Sequence, residues 1–224
     1  MTKTPKASTH PILIKGFVIV IAALSIFGCG SGSSSGTTGI TEEQASTLGG
    51  LENPAEESST KTGSFVDSAV SGIHYRTATY TGTTNDNGDF NYLPGEIIEF
   101  SIEHIVLGAA VADITVTPLE LGTLTEDGID YSHNHTDRTV NVLRFLQTFD
   151  ADGYPENGIS ISNSTRSTIA TLSPHFSITF NLPQAEFEAQ PALIDLVQHS
   201  TSSGELVSPE EAIEHFKNTL EYLP

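Results

Sequence analysis

The chain has 224 residues, 37% of them hydrophobic and 17% charged, with 28 acidic residues against nine basic ones and a formal charge of −19. An excess of that size repels nucleic-acid phosphates and anionic lipid headgroups, so neither is expected as a partner, while divalent and organic cations are attracted. Cys29 is the single cysteine, so no disulfide within the chain can form.

Lys3, Lys6 and Lys15 stand ahead of or at the edge of an apolar run from Gly16 to Leu24, and Gly28 follows shortly after. A positive start, an apolar segment of roughly 7–15 residues and a small residue before the cut make a secretory signal pattern. The run is too short for a bilayer core that needs roughly 20 residues. Its ending, Ser25-Ile26-Phe27-Gly28-Cys29, resembles the lipobox of bacterial lipoproteins. The resemblance implies that residues 1–28 are removed as a signal peptide and that Cys29 becomes a lipid-bearing N-terminus. Acyl chains such as palmitate contribute about 0.8 kcal/mol per buried CH₂, so several chains on one cysteine hold a protein stably. Gly30, rather than aspartate, follows Cys29, and by the sorting rule of such lipoproteins this implies the outer membrane. Removing Lys3, Lys6 and Lys15 takes the formal charge from −19 to −22.

Residues 29–62 are rich in Ser, Thr, Gly and acidic residues. Such a segment cannot bury enough surface to offset its ordering entropy, and it reads as a disordered tether. A flexible chain of that length spans roughly 30 Å root-mean-square. About 160 residues remain beyond it, within the range of one domain.

Residues 63–122 alternate as strands do. Phe65 to Val70 reads as one strand, and Gly72 to Thr77 as another with Ile73, Tyr75 and Thr77 on one face. Asn85-Asp86-Asn87-Gly88 between alternating runs predicts a hairpin, because Asn and Gly tolerate positive φ. Pro94-Gly95 makes the next turn, and Ile98, Phe100 and Ile102 alternate with Glu99 and Ser101. Six or seven short strands at this spacing predict a small antiparallel β-sandwich or barrel.

Val66-Asp67-Ser68-Ala69-Val70-Ser71-Gly72-Ile73-His74-Tyr75 and the stretch from Gly82 to Glu96 resemble a module of proteobacterial envelope lipoproteins, itself similar to carboxypeptidase-regulatory-like and transthyretin-like β-sandwiches. Thr117-Pro118-Leu119-Glu120-Leu121, the run from Val142 to Gly153, and Leu206 to Ala212 look like its continuation. The resemblance implies a β-sandwich scaffold and an envelope location, and no reaction.

Residues 123–224 read as the helix-rich part. Asp137 is placed to cap a helix carrying Val142, Leu143, Phe145, Leu146 and Phe149. Phe176 to Phe180 alternates as a further strand, and Ala192 to Val197 is a short helix. Ser208-Pro209-Glu210-Glu211 is a capping box with proline at the first helical position. Ahead of it Val207 can staple to Ala212, and Ile213, Phe216, Leu220 and Leu223 form the stripe to be buried. The predicted fold class is α+β: a small antiparallel β-sandwich followed by helices packed on it.

Two stretches carry residues suited to metals. Asp150, Asp152 and Glu156 lie in a Gly-, Pro- and Asn-rich segment, as calcium's six to eight oxygen ligands require. The segment lacks the twelfth-position glutamate of an EF-hand, and a polar turn accounts for the same residues. His133 and His135 alternate near Asp130 and Asp137, a spacing that suits either a transition metal or a solvated loop. The remaining histidines, His215 among them, are scattered. The sequence has no Gly-x-Ser-x-Gly elbow and no phosphate-binding or dinucleotide loop.

The function expected from these readings is a lipid-anchored cell-envelope protein with a binding, adhesive or accessory role and no enzymatic activity. Its partners would be the membrane, through lipid on Cys29, and an envelope protein or small ligand. The alternatives are a periplasmic carrier of a metal ion or small ligand, and a metal-dependent hydrolase.

Overall fold

Among the described residues the strands come first. In a computed structural model that describes residues 59–132, 135–172, 177–201 and 203–223, they are β1 (Lys61–Phe65), β2 (Val70–Ser71), β3 (His74–Arg76), β4 (Thr81–Thr83), β5 (Asp89–Tyr92), β6 (Ile97–Ile102), β7 (Ile105–Val111), β8 (Thr115–Val116), β9 (Thr123–Thr125) and β10 (Gly128–Asp130). Helix α1 (His135–Thr148) follows, then β11 (Ile159–Ser160), α2 (Asn163–Thr171), α3 (Gln184–Glu188), α4 (Pro191–Ser200) and α5 (Pro209–Glu221). The expected signal peptide, Cys29 and the tether up to residue 58 lie outside the described residues. The fold is α+β.

Two larger sheets carry most of the β part, one ordered β5-β1-β8 and the other β4-β3-β6-β7, beside the two-stranded pairs β10-β9 and β11-β2. The pairing is not wholly antiparallel as expected, since β8 runs parallel to β1 and β11 to β2. The two larger sheets meet through aromatic side chains. Phe65 of β1 and Phe90 of β5 lie 4.4 and 5.4 Å from Phe100 of β6, ring centre to ring centre. The two-residue period of β6 buries Ile98, Phe100 and Ile102 completely, as its alternation predicts. Strand β1 takes in Lys61 and Thr62, which the sequence assigns to the tether, because they pair with Tyr92 and Asn91.

Three local expectations are corrected. The turn at Asn85–Gly88 forms, with Gly88 N–H donating to Asn85 O at 2.8 Å and Gly88 at φ 75°. It does not close a hairpin: β4 pairs with β3 and β5 with β1, so the turn carries the chain from one sheet to the other. Thr84 stays with the chain before β3: its N–H donates to Ile73 O at 2.9 Å, its carbonyl accepts from Gly72 N–H and its Oγ1 from Ile73 N–H.

The run from Phe65 to Val70 is likewise not one strand. Val66 and Ala69 bridge each other across a tight turn in which Ser68 has φ 55°. Residues 177–180 are not a strand either, although Ile178 and Phe180 are buried and alternate with exposed residues. Among the described residues no strand pairs with this segment. The Gln190 side-chain amide takes the place of one, accepting from Thr179 N–H at 2.8 Å and donating to Thr179 O at 3.1 Å. Phe176 lies outside the described residues.

The helices complete the core. Helix α1 starts at His135, which puts Asp137 in its first turn and not at the cap. There the carboxylate still favours the helix dipole. Its Phe145 meets Phe149 and Phe180 at 4.7 and 5.3 Å. Helix α5 has the predicted capping box at Ser208 and Glu211, with Pro209 at the first turn. Val207 and Ala212 join Leu143 and Phe216 in one apolar cluster, as the staple requires. The buried face of α5, however, runs through Ala212, His215 and Phe216, with Ile213 only half-buried. A histidine on that face is the first sign of a specialised site.

Candidate functional site

Asp67 and Ser68 form the turn after β1 and project against α5. Asp67 is fully buried, with no accessible surface. One carboxyl oxygen accepts from Gln147 Nε2 of α1 at 3.0 Å, and the other lies 3.7 Å from His215 Nε2. A buried ionised carboxylate costs several kcal/mol unless fully paired. Burial accordingly pushes the Asp67 carboxyl up to about 8, against the smaller opposing effect of the Gln147 hydrogen bond. Burial thus favours its protonated, neutral form. Gln147 also donates to Ala212 O at 3.2 Å, so one amide links β1, α1 and α5.

Ser68 Oγ stands 3.1 Å from His215 Nε2 and 3.4 Å from Thr219 Oγ1. Burial lowers the affinity of His215 for a proton, opposed in part by the negative charge of Glu156 and Asp150 and by a hydrogen bond to the Asp67 backbone. A neutral imidazole can accept from the serine hydroxyl. Ser68 holds a left-handed conformation that costs a non-glycine residue about 1–2 kcal/mol. Unusual backbone of this kind clusters at functional positions.

His215 separates two depressions. On one side is a cleft of about 700 Å³ whose lining includes Asp150, Asp152, Glu156, Glu205 and Glu211. On the other is a smaller pocket of about 310 Å³, lined by Ser68, Asn218, Thr219, Tyr222 and Leu223, with Glu156 common to both.

The aspartates read as either calcium ligands or a polar turn sit in the loop after α1, and the loop itself hydrogen-bonds their oxygens. Asp150 accepts from Ser160 N–H at 2.8 Å and from Tyr154 N–H at 2.9 Å. Asp152 accepts from Tyr154 N–H at 2.9 Å and from Asn157 Nδ2 at 3.0 Å. Burial raises Asp150, whereas the Asn157 and Tyr154 hydrogen bonds lower exposed Asp152.

Glu156 follows in a 3₁₀ turn and is exposed. Among the described residues no group of three or more His, Cys, Asp or Glu side chains is placed to hold a metal ion. His133 lies outside the described residues, as does the side chain of His135. His135 opens α1 and Asp150 follows its end, about 20 Å away at 1.5 Å per residue. The two stretches singled out by sequence cannot share one ion.

Sequence reasoning missed Asp67, Ser68, Gln147 and His215. The available signal was a histidine interrupting the apolar face of α5, together with an Asp-Ser pair inside an apolar run. Comparison with protein-family models, curated proteins and solved structures gives no match.

Proposed function

We propose that the chain is a lipid-anchored envelope protein that displays its α+β body from a tether and binds a partner or ligand there. The carrying observation is the order of parts along the chain. A lipobox-like ending at Cys29 is followed by a Ser/Gly/Thr-rich stretch, and among the described residues the first strand is Lys61–Phe65. The resemblance to proteobacterial lipoproteins supports the same reading, and Gly30 after Cys29 favours the outer membrane by the sorting rule. Metabolic labelling with a fatty acid tests it. The wild-type protein should take up label and sediment with membranes, and Cys29→Ser should do neither.

A second reading, a carrier of a small polar ligand, is favoured by the cleft of about 700 Å³ beside His215. Its size falls within the range of ligand pockets, roughly 300–1,000 Å³. The carboxylates on its walls would select cationic or neutral compounds over anions. Calorimetric titration with a diamine and with a dicarboxylate of equal length separates the cases. Heat of binding from the diamine alone supports the carrier, and heat from neither argues against it.

A further inference from the structure

We propose that Ser68 is a nucleophile activated by His215, and that the pocket above it takes the acyl group of a small neutral or cationic ester. This goes beyond the anchored-display reading and does not depend on it. Three features of the geometry converge here. Ser68 Oγ and His215 Nε2 are 3.1 Å apart, the reach of a nucleophile and its general base. Ser68 is held at φ 55°, in a turn where glycine would be the undemanding choice. Ser68 also lines an open pocket of about 310 Å³, large enough for a small acyl group.

The surroundings fit the roles. His215 is fixed by burial on the packed face of α5 and is kept neutral, so its Nε2 can take a proton at pH 7. Asp67 lies beside the same nitrogen, one carboxyl oxygen 3.7 Å from His215 Nε2 and the other fixed by Gln147, and so helps to position the edge of the ring that faces Ser68. Asn218, one turn beyond His215, also lines the pocket and carries a side-chain amide. Such an amide suits a developing oxyanion. Tyr222 and Leu223 give the pocket an apolar side for a short acyl chain, and Glu156 repels anionic substrates.

The reaction is an acyl transfer. Ser68 Oγ bonds to the ester carbonyl carbon while its proton moves to His215 Nε2. The bond from that carbon to the alcohol oxygen breaks, and His215 returns the proton to the departing alkoxide. Water then attacks the acyl-serine, giving one proton to His215. The carbon–Oγ bond breaks, the carboxylic acid leaves and Ser68 Oγ recovers its proton.

A fluorophosphonate probe, with peptide mapping of the adduct, tests the nucleophile on the full mature chain in detergent. The expected result is one adduct, on Ser68, in the wild type. Ser68→Gly suits the left-handed turn and should fold, as its melting temperature will report, yet carry no adduct. His215→Gln should slow labelling at least about a hundredfold, the low end of what a general base supplies. A p-nitrophenyl ester with a cationic acyl group should be cleaved faster than its anionic counterpart, and Asn218→Ala should lower kcat with KM little changed. A wild-type protein that stays unlabelled, or a label that persists in folded Ser68→Gly, would overturn the proposal.

Discussion

Gln147 and Asp67, 80 residues apart in sequence, are joined inside the protein by a 3.0 Å hydrogen bond from the amide to the carboxyl. The bond ties α1 to the turn after β1, and through Ala212 O it ties both to α5. A buried acid at this junction makes the stability of the whole body depend on pH.

The direction follows from linkage. The folded-state affinity of Asp67 for its proton is raised to about 8 from the ordinary 3.8. Its contribution is therefore fully present below the ordinary carboxylate range and is lost as pH rises towards about 8. The slope is at most about 1.4 kcal/mol per pH unit. Urea unfolding at pH 5 and pH 8 should show Asp67→Asn gaining on the wild type by more than about 1 kcal/mol at the higher pH. Equal differences at the two pH values would mean that Asp67 ionises freely in the folded state.

Ser68 gives a prediction about backbone strain. Ser68→Gly relieves a left-handed conformation worth about 1–2 kcal/mol but loses a hydrogen bond worth about 1 kcal/mol, so its melting temperature should stay within a few degrees of the wild type. Ser68→Val, β-branched and without the hydroxyl, should lose about 2 kcal/mol or more. Comparing the two by thermal unfolding separates backbone from side-chain effects.

Phe100 joins the two sheets through Phe65 and Phe90. Phe100→Ala should cost about 3–5 kcal/mol, a large part of the total for a domain of this size. Chemical denaturation reads that loss directly. A cost below about 1 kcal/mol would mean that the sheets do not meet there.

The loop carboxylates predict an insensitivity to calcium. Asp150 and Asp152 already accept from Ser160, Tyr154 and Asn157. Calcium should raise the melting temperature no more than magnesium does, since both only screen a strongly acidic chain. A calcium-specific rise abolished by Asp150→Asn with Asp152→Asn would identify ligands instead.

The sequence is most legible where one local rule decides the outcome. Strand β6 alternates because one face must be buried, and α5 starts at Ser208 because Ser, Pro and Glu stand at the capping spacing. It is less legible where a distant group supplies the partner. The segment at Thr179 has the period of a strand, but Gln190's amide takes the place of a neighbouring strand. Asn85–Gly88 encodes a reversal, yet nothing local says whether the chain returns in the same sheet. Ser68 and His215 are 147 residues apart, and only the packing of α5 against the turn after β1 brings them together.

The central claim is that this body hangs from an acylated Cys29. Intact-mass spectrometry of the protein extracted from membranes tests it most directly. The account predicts a chain beginning at Cys29 and heavier than residues 29–224 by the mass of its acyl groups. A chain that retains residues 1–28, or one that starts elsewhere and carries no lipid, would contradict it.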